Sequence, residues 1–196
     1  MKTHKKPKLC VYCGSSNEVP KRYVDTAKVF VQAAVARGYD IVYGAGSCGL
    51  MGVVANAALE AGAHVTGVVP HQFVKEVVHQ NLSEKILTNS MSERKRVMLD
   101  ISDAFVALPG GYGTLDEISE ALILLQLGAF KKPCGFLNTN NFYDKLLEFF
   151  DVCVTEKFVS PMHREMALMT EDPNELLDKI QNYSRPEEKL WWNEKL

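Results

Sequence analysis

With 196 residues, 46% of them hydrophobic and 23% charged, the chain suits one soluble domain with a sizeable core. A formal charge of −2 leaves no basic surplus to attract nucleic acid or an anionic membrane surface, so neither is expected as a partner. No apolar run reaches transmembrane length and no signal-peptide core follows the basic start Thr3–Lys8, so a cytoplasmic protein is expected.

Leu9 to Cys13 reads as a first strand, closing on Gly14-Ser15-Ser16. Tyr23 to Arg37 reads as a helix with Val24, Ala27, Phe30, Val31 and Ala34 on one stripe, stopped by Gly38. Asp40 to Tyr43 is a second strand, followed by Gly44-Ala45-Gly46-Ser47-Cys48-Gly49 and a small-residue helix from Leu50 to Ala61. His64 to Val69 is a third strand; Phe73 to His79 reads as a short irregular or helical piece, and Lys85 to Leu87 offers a further strand. Ser90, with Glu93 three residues on, predicts a capped helix running to Ile101. Ala104 to Leu108 is a buried strand that runs into the glycine stretch 109–113 and a helix from Ile118 to Leu127. Pro133 to Leu137 is the next strand, Phe142 to Phe158 an amphipathic helix, and Met166 to Met169 an edge strand. A last helix starts at Asp172-Pro173 and ends near Tyr183.

Strands alternating with helices predict an α/β fold with a doubly wound, mostly parallel sheet. Residues 8–183 form the single expected domain, and 1–7 and 184–196 are tails, the second carrying Trp191 and Trp192. The helix from Ile118 to Leu127 is apolar on nearly every side, which predicts a homodimer, because one sheet face does not cover all of it.

Three glycines at the strand-to-helix turn 109–114 let backbone N–H groups approach an anion, and the helix end behind them adds partial positive charge. Thr114 and Glu117 also have capping-box spacing, which would explain both without a ligand. Gly44-x-Gly46-x-x-Gly49 has the form of a dinucleotide fingerprint, but it follows the second strand and no carboxylate ends the third. A packing turn is the better reading, against a nicotinamide-dependent oxidoreductase. Arg94 falls in the middle of the apolar stripe of Met98, Val97 and Ile101, and Glu117 shares a face with Ala121 and Leu124. Each inward charge needs a partner, in a ligand or in an internal salt bridge. Cys10 and Cys13 fall on opposite faces of one strand, no second Cys pair completes a zinc site, and no metal is expected. There is no P-loop lysine and no Gly-x-Ser-x-Gly elbow.

Pro109-Gly110-Gly111-Tyr112-Gly113-Thr114-Leu115-Asp116-Glu117 is similar to the PGGxGTxxE motif of the Lonely-guy family, and Met91-x-x-Arg94-Lys95 to its MxxRK partner. Cys13-Gly14-Ser15-Ser16 and the run Tyr43–Gly52 sit where that family has its CGSS and YGGGxxGLMG stretches. The likeness covers residues 8 to about 180.

The resemblance implies a modified Rossmann-like fold, usually dimeric, without a cofactor, that acts as a phosphoribohydrolase. Such an enzyme cleaves a purine nucleoside 5'-monophosphate, of cytokinin type or AMP, into free base and ribose 5-phosphate. It implies Arg94 and Glu117 as the catalytic pair. Nucleotide contacts would come from Gly14, Ser15, Glu84, Met91, Lys95 and the run Gly110, Gly111, Tyr112, Gly113, Thr114 and Asp116. Three departures bear on base preference: Ser90-Met91-Ser92 for Asp-Met-His, Ile123-Leu124 for Thr-Trp, and Ala45 for a loop glycine. The alternative from another class is a non-catalytic nucleotide or cofactor carrier on the same fold.

Overall fold

A computed structural model describes residues 6–74 and 78–186. Seven strands form one sheet in the order β4-β3-β2-β1-β5-β6-β7: β1 (Lys8–Tyr12), β2 (Asp40–Tyr43), β3 (Val65–Pro70), β4 (Glu84–Thr88), β5 (Ala104–Ala107), β6 (Cys134–Leu137) and β7 (Ala167–Thr170). Every pairing between them is parallel, so the sheet expected to be mostly parallel is wholly so. Strands β1, β5 and β6 carry near-continuous apolar side chains because helices cover both faces.

Helices α1 (Lys21–Ala36), α2 (Gly49–Glu60) and α7 (Pro173–Gln181) cover one face, with Phe30, Val31, Leu50, Val54 and Leu176 against Leu9, Ile41 and Val106. Helices α3 (Met91–Ile101), α4 (Tyr112–Gln126) and α5 (Asp144–Thr155) cover the other, where Met98, Ile118, Leu125 and Phe150 meet Cys10, Phe105 and Phe136. A short α6 (Pro161–Glu165) leads into β7. Cys13 packs toward the first face and Cys10 toward the second, so the two thiols do not form a site.

Two helix starts follow their sequence signals closely. Ser90 Oγ accepts from the Glu93 N–H at 3.1 Å, and Glu93 Oε2 accepts from the Asn89 N–H at 2.7 Å. Asp172 Oδ1 accepts from the N–H groups of Asn174 and Glu175, both at 2.8 Å. Each such cap is worth about 1 kcal/mol.

Two helices differ from their expected bounds by three residues or more at one end. The one expected to span Phe142 to Phe158 runs only from Asp144 to Thr155. Asn140 and Asn141 take left-handed backbone angles ahead of it, Asn138 Oδ1 accepts the Tyr143 N–H at 2.6 Å, and Lys157 at φ 66° ends it. The helix expected from Ile118 begins instead at Tyr112, with Gly111 at its N-cap. Thr114 is therefore buried inside the first turn and Glu117 lies beyond it, so the capping-box reading of this pair fails.

Beyond α7, Arg185 donates to the carbonyls of Leu125 and Gln126 at 2.9 and 3.1 Å, satisfying the last turn of α4. Residues 1–5, the middle of the 73–79 piece, and Trp191 and Trp192 lie outside the described residues. Among the described residues no helix is long and apolar enough to cross a membrane.

Candidate active site

Strand order reverses between β1 and β5, the place where open parallel sheets hold their ligands. A cleft of about 410 Å³ opens there, at the carboxyl ends of the strands. Its walls are the 13–15 turn after β1, Gly44 and Met51 after β2, Met91 and Arg94 of α3, and Gly111 with Tyr112, Gly113, Thr114, Asp116 and Glu117 at the start of α4.

The two glycine turns beside the cleft spend their backbone donors differently. At the start of α2 the Gly49 N–H goes to Asn17 Oδ1 at 2.7 Å and the Leu50 N–H to the Gly14 carbonyl at 3.0 Å. Gly49 has φ +56°, and a Cβ there would strike the Ser15 and Ser16 backbone. That turn packs one loop against another. At the start of α4 no side chain caps the helix, and the first intrahelical bond is donated by Leu115 to Gly111 at 3.1 Å. The N–H groups of Tyr112, Gly113 and Thr114 are then the orphan donors of a helix start, aimed where an anion would sit. Gly110 has no room for a side chain: a Cβ would meet Thr114 Cβ at 2.7 Å and the Gly14 nitrogen at 2.9 Å.

The two inward charges turn out to be each other's partners. Arg94 Nη1 donates to Glu117 Oε1 at 2.6 Å, with side chains only 9% and 11% exposed, and Arg94 Nε donates to the Val68 carbonyl at 3.0 Å. Helix α3 makes this meeting possible by crossing back from edge strand β4 over β3 and β1. Burial pushes the Glu117 carboxyl above the usual carboxylate range, and the adjacent Arg94 charge opposes that shift. A buried ion pair of this kind is weak evidence for stability, because desolvation offsets its attraction. Its position in the wall of a ligand-sized cleft points to chemistry instead.

Residues 51–180 match the family model described as "Possible lysine decarboxylase". A protein of Oryza sativa subsp. japonica called a "probable cytokinin riboside 5'-monophosphate phosphoribohydrolase" is 43% identical over 184 residues, covering 93% of this chain and 74% of its own. The chain belongs to the Lonely-guy family. An Arabidopsis thaliana member, called a cytokinin riboside 5'-monophosphate phosphoribohydrolase, is 40% identical over 197 residues, 98% of this chain and 92% of its own. Among solved structures, the molybdenum cofactor carrier protein of Chlamydomonas reinhardtii superposes with a TM-score of 0.69 at 21% identity, over 90% of this chain and 97% of that one. At that identity the likeness shows a shared fold.

Of the residues nominated from the Lonely-guy motifs, Gly14, Ser15, Met91, Arg94, Gly111, Tyr112, Gly113, Thr114, Asp116 and Glu117 line the cleft, with Gly110 immediately beneath. Lys95 stands one step back, its Nζ held by Asp116 Oδ1 at 3.0 Å and Glu120 Oε2 at 2.9 Å, so it reaches the cleft only through Asp116.

Glu84 has to be corrected. It is the first residue of a parallel strand and therefore lies at the amino edge of the sheet, away from the carboxyl-edge cleft. There its carboxylate accepts from Thr66 Oγ1 at 3.0 Å and faces His64 at 3.5 Å, and the Thr66 hydroxyl above all holds it below its ordinary range. Gly44, Met51 and the strand-end residues Val11, Tyr12 and Cys13 line the cleft without having been nominated. The glycine after β2 was the available signal for the first of these.

Proposed function

We propose that this Lonely-guy chain hydrolyses the N-glycosidic bond of purine nucleoside 5'-monophosphates, prenylated or plain AMP, to free base and ribose 5-phosphate. The observation that carries this reading is the buried Arg94–Glu117 pair facing a cleft whose other wall is the uncapped start of α4. A 5'-phosphate on the orphan N–H groups puts the ribose beside the pair. As the C1'–N9 bond breaks, positive charge grows on the ribose and negative charge on the purine. The ionised Glu117 stabilises that oxocarbenium character or orients the attacking water, whose oxygen bonds to C1'. One proton of that water ends on the base nitrogen. Arg94 stays charged at any working pH, so it holds substrate or stabilises developing negative charge and donates no proton.

The test is to incubate the protein with AMP and with prenylated AMP and to separate the products. Free base and ribose 5-phosphate in equal amounts are the expected result. Nucleotide binding without base release would favour a carrier.

A second copy of the chain completes the molecule in this reading. Ile123 on α4 and Leu127 just after it, Phe149 and Val152 on α5, and Phe158 beyond its end are between 44% and 83% exposed. Exposed apolar side chains of this size are what a second copy would cover. Light scattering at micromolar concentration should give the mass of two chains; a monomer would sink the idea.

A further inference from the structure

Resting on the reading of Arg94 as a catalytic group, we propose that Gly44 is its positioning residue: the bare Cα of Gly44 is the seat on which the guanidinium lies. Backbone conformation gives no reason for glycine here, since Gly44 is not among the residues with positive φ, whereas the neighbouring Ala45 is, at 64°. The reason lies in what a side chain would meet. A Cβ on Gly44 would overlap Arg94 Nη2, stand 3.2 Å from Arg94 Cζ and 2.8 Å from Met51 Cε.

The guanidinium is thus fixed from three directions. Nε is tied to the Val68 carbonyl and Nη1 to Glu117, which set its plane. Nη2 rests over Gly44, which sets its depth in the cleft wall. A methyl group at residue 44 would displace the cation and strain both hydrogen bonds.

The other glycines of this turn do different work. The three atoms nearest a Cβ at Gly46 all belong to the Met51 side chain, with Sδ and Cε both at 2.8 Å. Gly49 and Gly52 would strike backbone atoms of Ser15, Ser16 and Ser47. At Gly44 the obstructing atoms are the far ends of two flexible side chains, so alanine is accommodated by moving Arg94, with the fold kept. Gly46→Ala is the matched control, because it disturbs the same methionine without touching the arginine.

The experiment compares Gly44→Ala and Gly46→Ala for kcat and KM with AMP, alongside thermal unfolding. Gly44→Ala should lower kcat by about 100-fold, the scale of loss from an ångström-sized misplacement of a reacting group. Its KM should stay within about threefold, because the phosphate contacts at the start of α4 are untouched. Gly46→Ala should keep kcat within about threefold, since only the adaptable thioether has to yield.

A second readout does not depend on turnover. In isotope-labelled protein the Nε–H resonance of Arg94, assigned by its loss in Arg94→Lys, should be protected from solvent exchange. Gly44→Ala should remove that protection and Gly46→Ala should keep it. If the unmodified protein releases no base, the hydrolase reading falls and the resonance still decides the role of Gly44. Wild-type kcat in Gly44→Ala, equal losses in the two variants, or an Arg94 resonance unchanged by Gly44→Ala would each overturn the proposal.

Discussion

Glu117→Gln should lower the rate of base release from AMP by roughly two orders of magnitude or more while the protein stays folded. The amide keeps the shape of the side chain, and its oxygen can still accept the Arg94 Nη1–H bond, so only the charge is removed. A role in capping α4 does not compete with this reading, since Glu117 lies six residues after the Gly111 N-cap. The pH profile carries a second signature. Because burial raises the Glu117 carboxyl, activity should fall with decreasing pH at values above the ordinary carboxylate range, and that acid limb should be missing in the variant.

The stability sign runs the other way. With the folded-state pKa raised, the group's favourable contribution is present below its unfolded value and is lost as pH rises through the folded one. Wild-type stability should therefore decline relative to Glu117→Gln as pH rises across that window. Base release by Glu117→Gln at the wild-type rate would remove Glu117 from the mechanism.

Adenosine should be a much poorer substrate than AMP. If the phosphate takes two of the orphan N–H groups at the start of α4, each charge-assisted bond is worth about 2 kcal/mol. Their loss lowers kcat/KM by roughly 1,000-fold, at about 1.4 kcal/mol per tenfold. Part of that loss should appear in kcat, because remote binding energy also orients the ribose against Glu117. Steady-state kinetics on the two substrates separates the parts. Equal kcat/KM values would mean that the glycine turn does not hold a phosphate.

Periodicity was a sound guide to which face each charge occupies. The apolar residues around Arg94 and Glu117 in the sequence turn both inward, and both are nearly buried. Their mutual pairing was not legible. They lie 23 residues apart, and they meet only because α3 returns from the sheet edge across β3 and β1. The start of α4 is not legible because Gly111 and Gly113 argue locally for a loop. What outweighs that propensity is the packing of Thr114, Ile118, Ala121 and Leu125 against the second face of the sheet, which holds the helix back to Tyr112. Glu84 illustrates the limit of carrying a residue over from motif position. Whether a strand residue reaches the ligand depends on which end of the strand it occupies, and an all-parallel sheet has only one ligand-binding edge.

The seam between β1 and β5 also has a consequence for how the molecule comes into being. Leu9 pairs with Ala104, 95 residues later in the chain, so the walls of the cleft are joined by some of the most distant contacts in the sheet. During synthesis β1 to β4 emerge first, with Leu9 to Tyr12 as an apolar edge whose second neighbour does not yet exist. An open edge of this kind is a template for pairing with other chains until β5 closes it. Contacts of long sequence separation also form slowly, because loop closure must precede them. The cleft is therefore a late product of folding, and no amino-terminal fragment ending before β5 contains both of its walls.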